Sequence, residues 1–414
     1  MLIKVEPRTL LGALKRVAPF TATRSTLPTL QAVKIIATDN VTVSATDLDS
    51  GISYTVADAE ILRGGLAVVP AQPLIHLLQN LDGYDEVELE APKYYDGVGK
   101  VILKFPEGFY HIHAYDPDDY PATMFEIEGK SVAVSVVGSD LAQALKFASN
   151  FAGAHTYLQA NDVVWLTLKG EELWVAGTDT HKLGLARVPT YQLEPLNDKV
   201  ELYLPVSRAT AIATTCGNEP SVTLRLTEKG IMAEGGRWRL WAFGREISHL
   251  NLEIVLKKPM ERAATVELAS TQPILNFLQK VSAFDYQRTQ RRANPAVGMH
   301  IKVNATETGL ELEAHAREGW SGERQLVGRT HVNVDDFKGV PTTVWVSRRL
   351  LTETLQAFKG YKVKIDLEAP TKNTLKPLVV TALDAEPFKL MALLMPLIIT
   401  QEESEAADAD QVDE

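Results

Sequence analysis

Three sequence landmarks recur in the same order along this chain at a spacing of about 130 residues, so a single unit of that size is used three times. The first landmark is a short strand running into an amphipathic helix. It reads IKVEPRTLLGALKRV from Ile3, VAVSVVGSDLAQALKFAS from Val132 and ATVELASTQPILNFLQKV from Ala264, with Leu14, Leu145 and Leu278 at matching places. The second is an alternating strand that closes on a Thr-Asp pair: Thr46-Asp47 and Thr178-Asp179 match, and the third copy, LELEAHAREGW from Leu310, has lost the pair. The third is another strand and helix, beginning at Gly65, Val200 and Thr342. A period this long exceeds one supersecondary unit and is enough for a domain with its own core.

Within each unit the order of strand, helix and strand meander occurs twice. Runs such as VKIIATDNVTVSATD read as strands joined by short turns, which predicts antiparallel sheets with two helices per domain, an α+β architecture. The domains are expected over residues 1–120, 131–247 and 263–400, and the Pro, Ser or Thr before each helix suits capping of its first amides.

A single cysteine, Cys216, excludes an intrachain disulfide, no secretory leader follows Met1, and no apolar run reaches membrane-spanning length; a soluble cytoplasmic protein is expected. A net charge of −11 argues against nucleic acid until its distribution is considered. Seven acids, Glu402, Glu403, Glu405, Asp408, Asp410, Asp413 and Glu414, fill residues 401–414, a stretch too polar to bury a core and expected to be a disordered tail. The body is therefore close to neutral. Bases fall on the repeated helices (Arg8, Lys15, Arg16, Lys146, Arg208, Lys280, Arg348 and Arg349), either as one basic face or as scattered solvated charge.

Catalytic and metal signals are weak. GVGK at Gly97 lacks the upstream glycine and following helix of a phosphate loop. His111 and His113 share one face of a strand without a second ligand pair, so ordinary strand histidines are the simpler reading and no metal is assigned. Asp116, Asp118 and Asp119 sit among prolines and read as a linker. Asp179 and His181 could form a catalytic dyad in a cleft, but no nucleophile accompanies them, and a turn stabilised by Thr and Asp explains the same residues.

Taken together, RSTLPTL at Arg24, SATDLDSGI at Ser44, AVVPAQPLIHLLQNL at Ala67, DDYPA at Asp118, GEELWVAGTDTHKLGLARVP at Gly170 and LLMPL at Leu393 make the chain resemble the beta subunit of bacterial DNA polymerase III, the sliding clamp. The resemblance runs from residue 1 to about Ile399. It implies three repeated clamp domains forming half of a ring, a homodimer that encircles double-stranded DNA without reading its sequence, and no catalysis or cofactor. Implied partners are a DNA polymerase catalytic subunit, an ATP-dependent clamp loader, and other replication and repair proteins that dock through short linear peptides. Localisation would be cytoplasmic, on the nucleoid.

The resemblance also assigns residues. DNA contacts fall to Arg24, His155, Tyr157, Gln159, Arg208, Arg288, Arg291 and Arg292. The peptide pocket falls to Thr178, His181, Lys182, Leu183, Leu250, Val255, Leu393, Leu394, Met395, Pro396 and Leu397, whose aliphatic members could equally be core. The dimer interface falls to Tyr110, Ile112, Ala283 and Phe284. Departures are Gln72 where a base is common, Arg208 standing alone in LPVSRAT, and a linker, SHLNLEIVLKKP, without the usual proline and arginines. Two rivals remain, a clamp relative without polymerase coupling and an enzyme built on His181 and Asp179.

Overall fold

A computed structural model describes residues 1–91, 98–121, 127, 131–153, 162–193, 200–247, 262–284, 299–317, 324–368 and 376–397. The first third runs β1 (Leu2–Val5), α1 (Pro7–Val17), β2 (Ala32–Ala37), β3 (Val41–Thr46), β4 (Ser50–Thr55), β5 (Glu60–Arg63), β6 (Gly65–Pro70), α2 (Ala71–Gln79), β7 (Val87–Glu90), β8 (Val98–Phe105) and β9 (Gly108–Tyr115). The second runs β10 (Ser131–Val136), α3 (Gly138–Ser149), β11 (Val163–Lys169), β12 (Glu172–Thr178), β13 (Lys182–Pro189), β14 (Tyr191–Gln192), β15 (Glu201–Pro205), α4 (Val206–Cys216), β16 (Val222–Thr227), β17 (Gly230–Glu234) and β18 (Trp238–Phe243). The last runs β19 (Ala264–Leu268), α5 (Gln272–Val281), β20 (His300–Thr306), β21 (Gly309–Arg317), β22 (Arg324–Val332), β23 (Asp336–Gly339), β24 (Thr342–Ser347), α6 (Arg348–Gln356), β25 (Val363–Leu367), β26 (Leu378–Ala382) and β27 (Lys389–Leu394). Among the described residues the order of strands and helices is the same in all three. The triplication visible in sequence is a triplication of structure.

Each helix buries one stripe and leaves the other face polar, as its spacing of apolar residues dictates. Leu14, Leu145 and Leu278 are fully buried, each supporting its unit by about 1.5–3 kcal/mol of transfer energy. The expected capping is not used. No side-chain cap forms at Glu6, Pro70, Pro205, Thr271 or Ser347, and the Thr271 hydroxyl donates instead to Leu355 O. Each of these residues is the hinge between a strand and its helix, so its side chain is placed by packing rather than by the helix end.

By compactness the chain forms two units. One holds Met1–Leu145, Trp165–Leu173 and Thr190–Glu246; the other holds Lys146–Val164, Trp174–Pro189 and the remainder. The middle third is divided because strands bond it on both sides. In the first unit β18 pairs antiparallel with β4, which fuses two thirds into one sheet of order β14-β10-β16-β17-β18-β4-β3-β2-β6-β9-β8-β7-β1-β5. In the second, β13 pairs antiparallel with β27 and continues through β26, β25, β19 and β23, beside a separate sheet of order β22-β21-β20-β24.

Candidate functional site

The two surviving Thr-Asp pairs build the same turn. Thr46 Oγ1 donates to Ser50 O and accepts from Leu48 N; Asp47 Oδ1 accepts from Asp49 N and Ser50 N, and Leu48 takes φ of +76°. One unit later Thr178 Oγ1 donates to Lys182 O and accepts from Thr180 N, Asp179 Oδ1 accepts from His181 N and Lys182 N, and Thr180 takes φ of +76°. Side chains that replace backbone partners hold a left-handed residue in place. Asp179 is thus spent on turn amides and His181 is exposed, so the dyad expected by the enzyme rival is not assembled.

The second turn opens onto the candidate peptide site. Pairing of β13 with β27 sets Lys182 against Leu394 and Leu183 against Leu393, and Met395 N donates to His181 O at 2.9 Å. Leu397 N in turn donates to Trp345 O at 2.7 Å. Thr178, His181, Lys182, Leu183 and Leu393 to Leu397 are therefore brought together; Leu250 and Val255 lie outside the described residues. Leu183, Leu393, Leu394 and Pro396 are buried as core, while His181 is exposed and Met395 and Leu397 are half-buried. Lys182, only 5% exposed, extends its ammonium to Asn150 O at 2.8 Å and Glu353 Oε2 at 2.7 Å, over the Phe151 ring. Lys182 is thus committed to its own chain and has no free charge to offer a peptide.

Arg208 is similarly committed. Its guanidinium meets Asp47 at 2.5 Å and Asp49 at 3.5 Å, with 18% of the side chain exposed, so it clamps α4 to the first Thr-Asp turn. The resemblance assigned it to DNA, and its acidic partner, about 160 residues away, lies beyond any local pattern. Arg24 is exposed; His155, Tyr157, Gln159, Arg288, Arg291 and Arg292 lie outside the described residues. The six helices among the described residues nevertheless carry eight Lys and Arg residues and two acids, Asp140 and Glu353, neither fully exposed. Their sign is opposite to that of the whole chain. Neutral hydroxyls and amides fill the rest: Ser207, Thr210 and Thr214 on α4, and Asn276 and Gln279 on α5, are exposed.

Several described strands have a side without a full partner, and two of them fall at matching places in the repeat. β9 pairs with β8 along its length and with β6 only through Val68 and Tyr115, and β22 pairs with β21 alone among the described strands. Tyr110 is 43% exposed and Phe284 41%, and Ala283 is exposed beside it; Ile112 turns inward, 4% exposed, and reaches such an edge only through its backbone. Behind β22 lies a cluster no motif announced. Glu313, nearly buried, holds Arg329 at 2.6 Å, Lys302 at 3.8 Å and His315 at 3.4 Å, and burial keeps the His315 imidazole more acidic than usual.

Residues 1–124 match the family described as DNA polymerase III beta subunit, N-terminal domain. Solved structures of bacterial clamps align over nearly the whole chain. The DNA polymerase sliding clamp of Bacillus subtilis aligns at 16% identity and TM-score 0.77, over 97% of this chain and 100% of that one. That of Pseudomonas aeruginosa bound to griselimycin gives 18% and 0.78, over 96% and 100%. The chain has the sliding-clamp fold. The beta clamp of C. crescentus, with PEG in the region thought to tether the beta motif, gives 17% and 0.76, over 96% and 99%. No curated protein matches the sequence.

Proposed function

We propose that this chain works as a sliding clamp: two copies join head to tail into a closed ring of six domains around duplex DNA and tether a polymerase for processive synthesis. One observation carries the reading. Within the chain, the strand after each Thr-Asp turn pairs with the last strand of the following third, β4 with β18 and β13 with β27. The third such strand, β22, and the first such last strand, β9, are the edges left over. A second copy supplies each with the partner it lacks, at both ends.

Such a ring holds DNA by enclosure, so the sparse bases and neutral hydroxyls of the helices suit it: phosphate contacts are few, sequence-independent and screened by salt. Polymerase and other factors dock by short peptides where exposed His181 meets the half-buried Met395 and Leu397, a flexible thioether and aliphatic surface that several partners can share. The ligands of the Pseudomonas and C. crescentus clamps support a small-ligand site in this fold. An ATP-dependent loader opens the ring. Domains over 1–120, 131–247 and 263–400 are the working units.

The test compares retention on nicked circular DNA before and after linearisation at about 0.5 M salt, where surface charge is screened within a few ångströms. Protein that stays on circles and runs off linear ends is topologically held. Equal retention on both forms would sink the ring.

A further inference from the structure

The backbone frame of the candidate peptide site is built twice. At the second junction Met395 N donates to His181 O and Leu397 N to Trp345 O; at the first, Phe243 N donates to Asp49 O and Arg245 N to Tyr203 O, both at 2.8 Å. The strand register agrees, since Leu393 and Leu394 face Leu183 and Lys182 as Trp241 and Ala242 face Gly51 and Ser50. Position by position, Leu48 stands for Thr180, Asp49 for His181, Phe243 for Met395, Gly244 for Pro396 and Arg245 for Leu397. Only the hydrogen bonds reveal the match.

What differs is the chemistry that the frame presents. At the second junction Thr180, His181, Met395 and Leu397 carry no carboxylate, and Glu353 is held by Lys182 and Arg349. At the first, Leu48 projects from the turn, 48% exposed, and half-buried Phe243 sets its ring edge-on to Trp241 with centroids 5.2 Å apart. Ile127 extends this apolar side: a Cβ at Gly230 would stand 2.8 Å from Ile127 Cδ1 and 3.2 Å from Phe243 Cα, so the two flank that glycine. Next to Leu48 is the Asp49 carboxylate, 76% exposed, whose single side-chain partner among the described residues is Arg208, 3.5 Å from Oδ2. Arg208 is turned mainly to Asp47, so Asp49 Oδ1 is left for a ligand.

We infer that the first junction is a second docking site, and that its occupant is a linear peptide of a partner protein with a basic side chain next to an aliphatic one. The inference rests on the reading of the second junction as a peptide site. Leu48 and Phe243 cover the aliphatic group, and Asp49 accepts hydrogen bonds from the ammonium or guanidinium. Charge decides between occupants, because an acidic segment would meet the same carboxylate and be repelled. With both sites, one chain holds two partners at once, or one partner at two points.

Isothermal titration of the full chain tests this with two acetylated and amidated hexapeptides, Leu-Lys-Leu-Phe-Lys-Leu and Leu-Glu-Leu-Phe-Glu-Leu. The basic peptide should fill two sites per chain in the parent and one in Met395→Asp, whereas the acidic peptide should not bind M395D at all. Adding Asp49→Lys to M395D should weaken the basic peptide by about tenfold or more and favour the acidic one. Adding Leu48→Asn instead should weaken the basic peptide by about threefold or more; Leu48 is exposed at φ of +76°, which Asn tolerates, so the melting temperature should hold. Loss of all basic-peptide binding in M395D, or residual binding that neither D49K nor L48N changes, would overturn the inference and leave the second-junction site standing. Binding of the basic peptide that M395D spares and D49K removes would sink the second-junction site and keep the first. An acidic peptide held by M395D would give the first junction to acidic segments, such as residues 402–414 of this chain, and would also overturn the inference.

Discussion

At the scale of single residues, the Thr-Asp turns were legible and the charges beside them were not. Thr46, Asp47, Thr178 and Asp179 announce a turn because their hydrogen bonds run to residues two to four places away. Arg208 read as a candidate DNA contact and Lys182 as a pocket residue, yet each is bound across a junction between thirds, to Asp47 and to Glu353. The polarity is reversed between the two junctions, base on the helix in one and acid on the helix in the other. The Lys182 pair is asymmetric, and so are its mutants. Glu353→Gln leaves a buried ammonium with only Asn150 O and the Phe151 ring, and should cost about 3 kcal/mol. Lys182→Met leaves a carboxylate that is 35% exposed and can turn to water, and should cost only about 1 kcal/mol. Urea denaturation of both variants checks the order.

At the scale of elements, strand and helix order was legible in every third because the apolar period changes from two to three or four at each landmark. What joins the thirds was not. A strand's second neighbour is decided by packing between segments far apart in sequence, so neither the fourteen-stranded sheet nor the division into two compact units has a local signal. One glycine shows how tightly these elements fit. A Cβ at Gly177, on β12, would stand 2.1 Å from Ala148 O at the end of α3, where no rotamer can relieve it. Gly177→Ala should therefore push α3 off the sheet and lose about 1–3 kcal/mol, lowering the thermal midpoint by several degrees. A midpoint within a degree of the parent would mean that α3 yields freely.

At the scale of the whole molecule, the proposed ring would join two different surfaces, the open side of β9 giving and the edge of β22 receiving. Contacts of that kind are heterologous, and nothing local stops them from propagating as a filament; closure after two copies is a property of the angle each junction turns through. The two edges can then be disabled one at a time. A proline in the exposed half of β9, such as His111→Pro, spoils the giving edge, and Leu326→Pro spoils the receiving one. Each variant alone should remain monomeric, while an equimolar mixture should sediment as a dimer joined at one place. Such a dimer is a broken bracelet: it should slip onto closed circular DNA without a loader and slip off as readily.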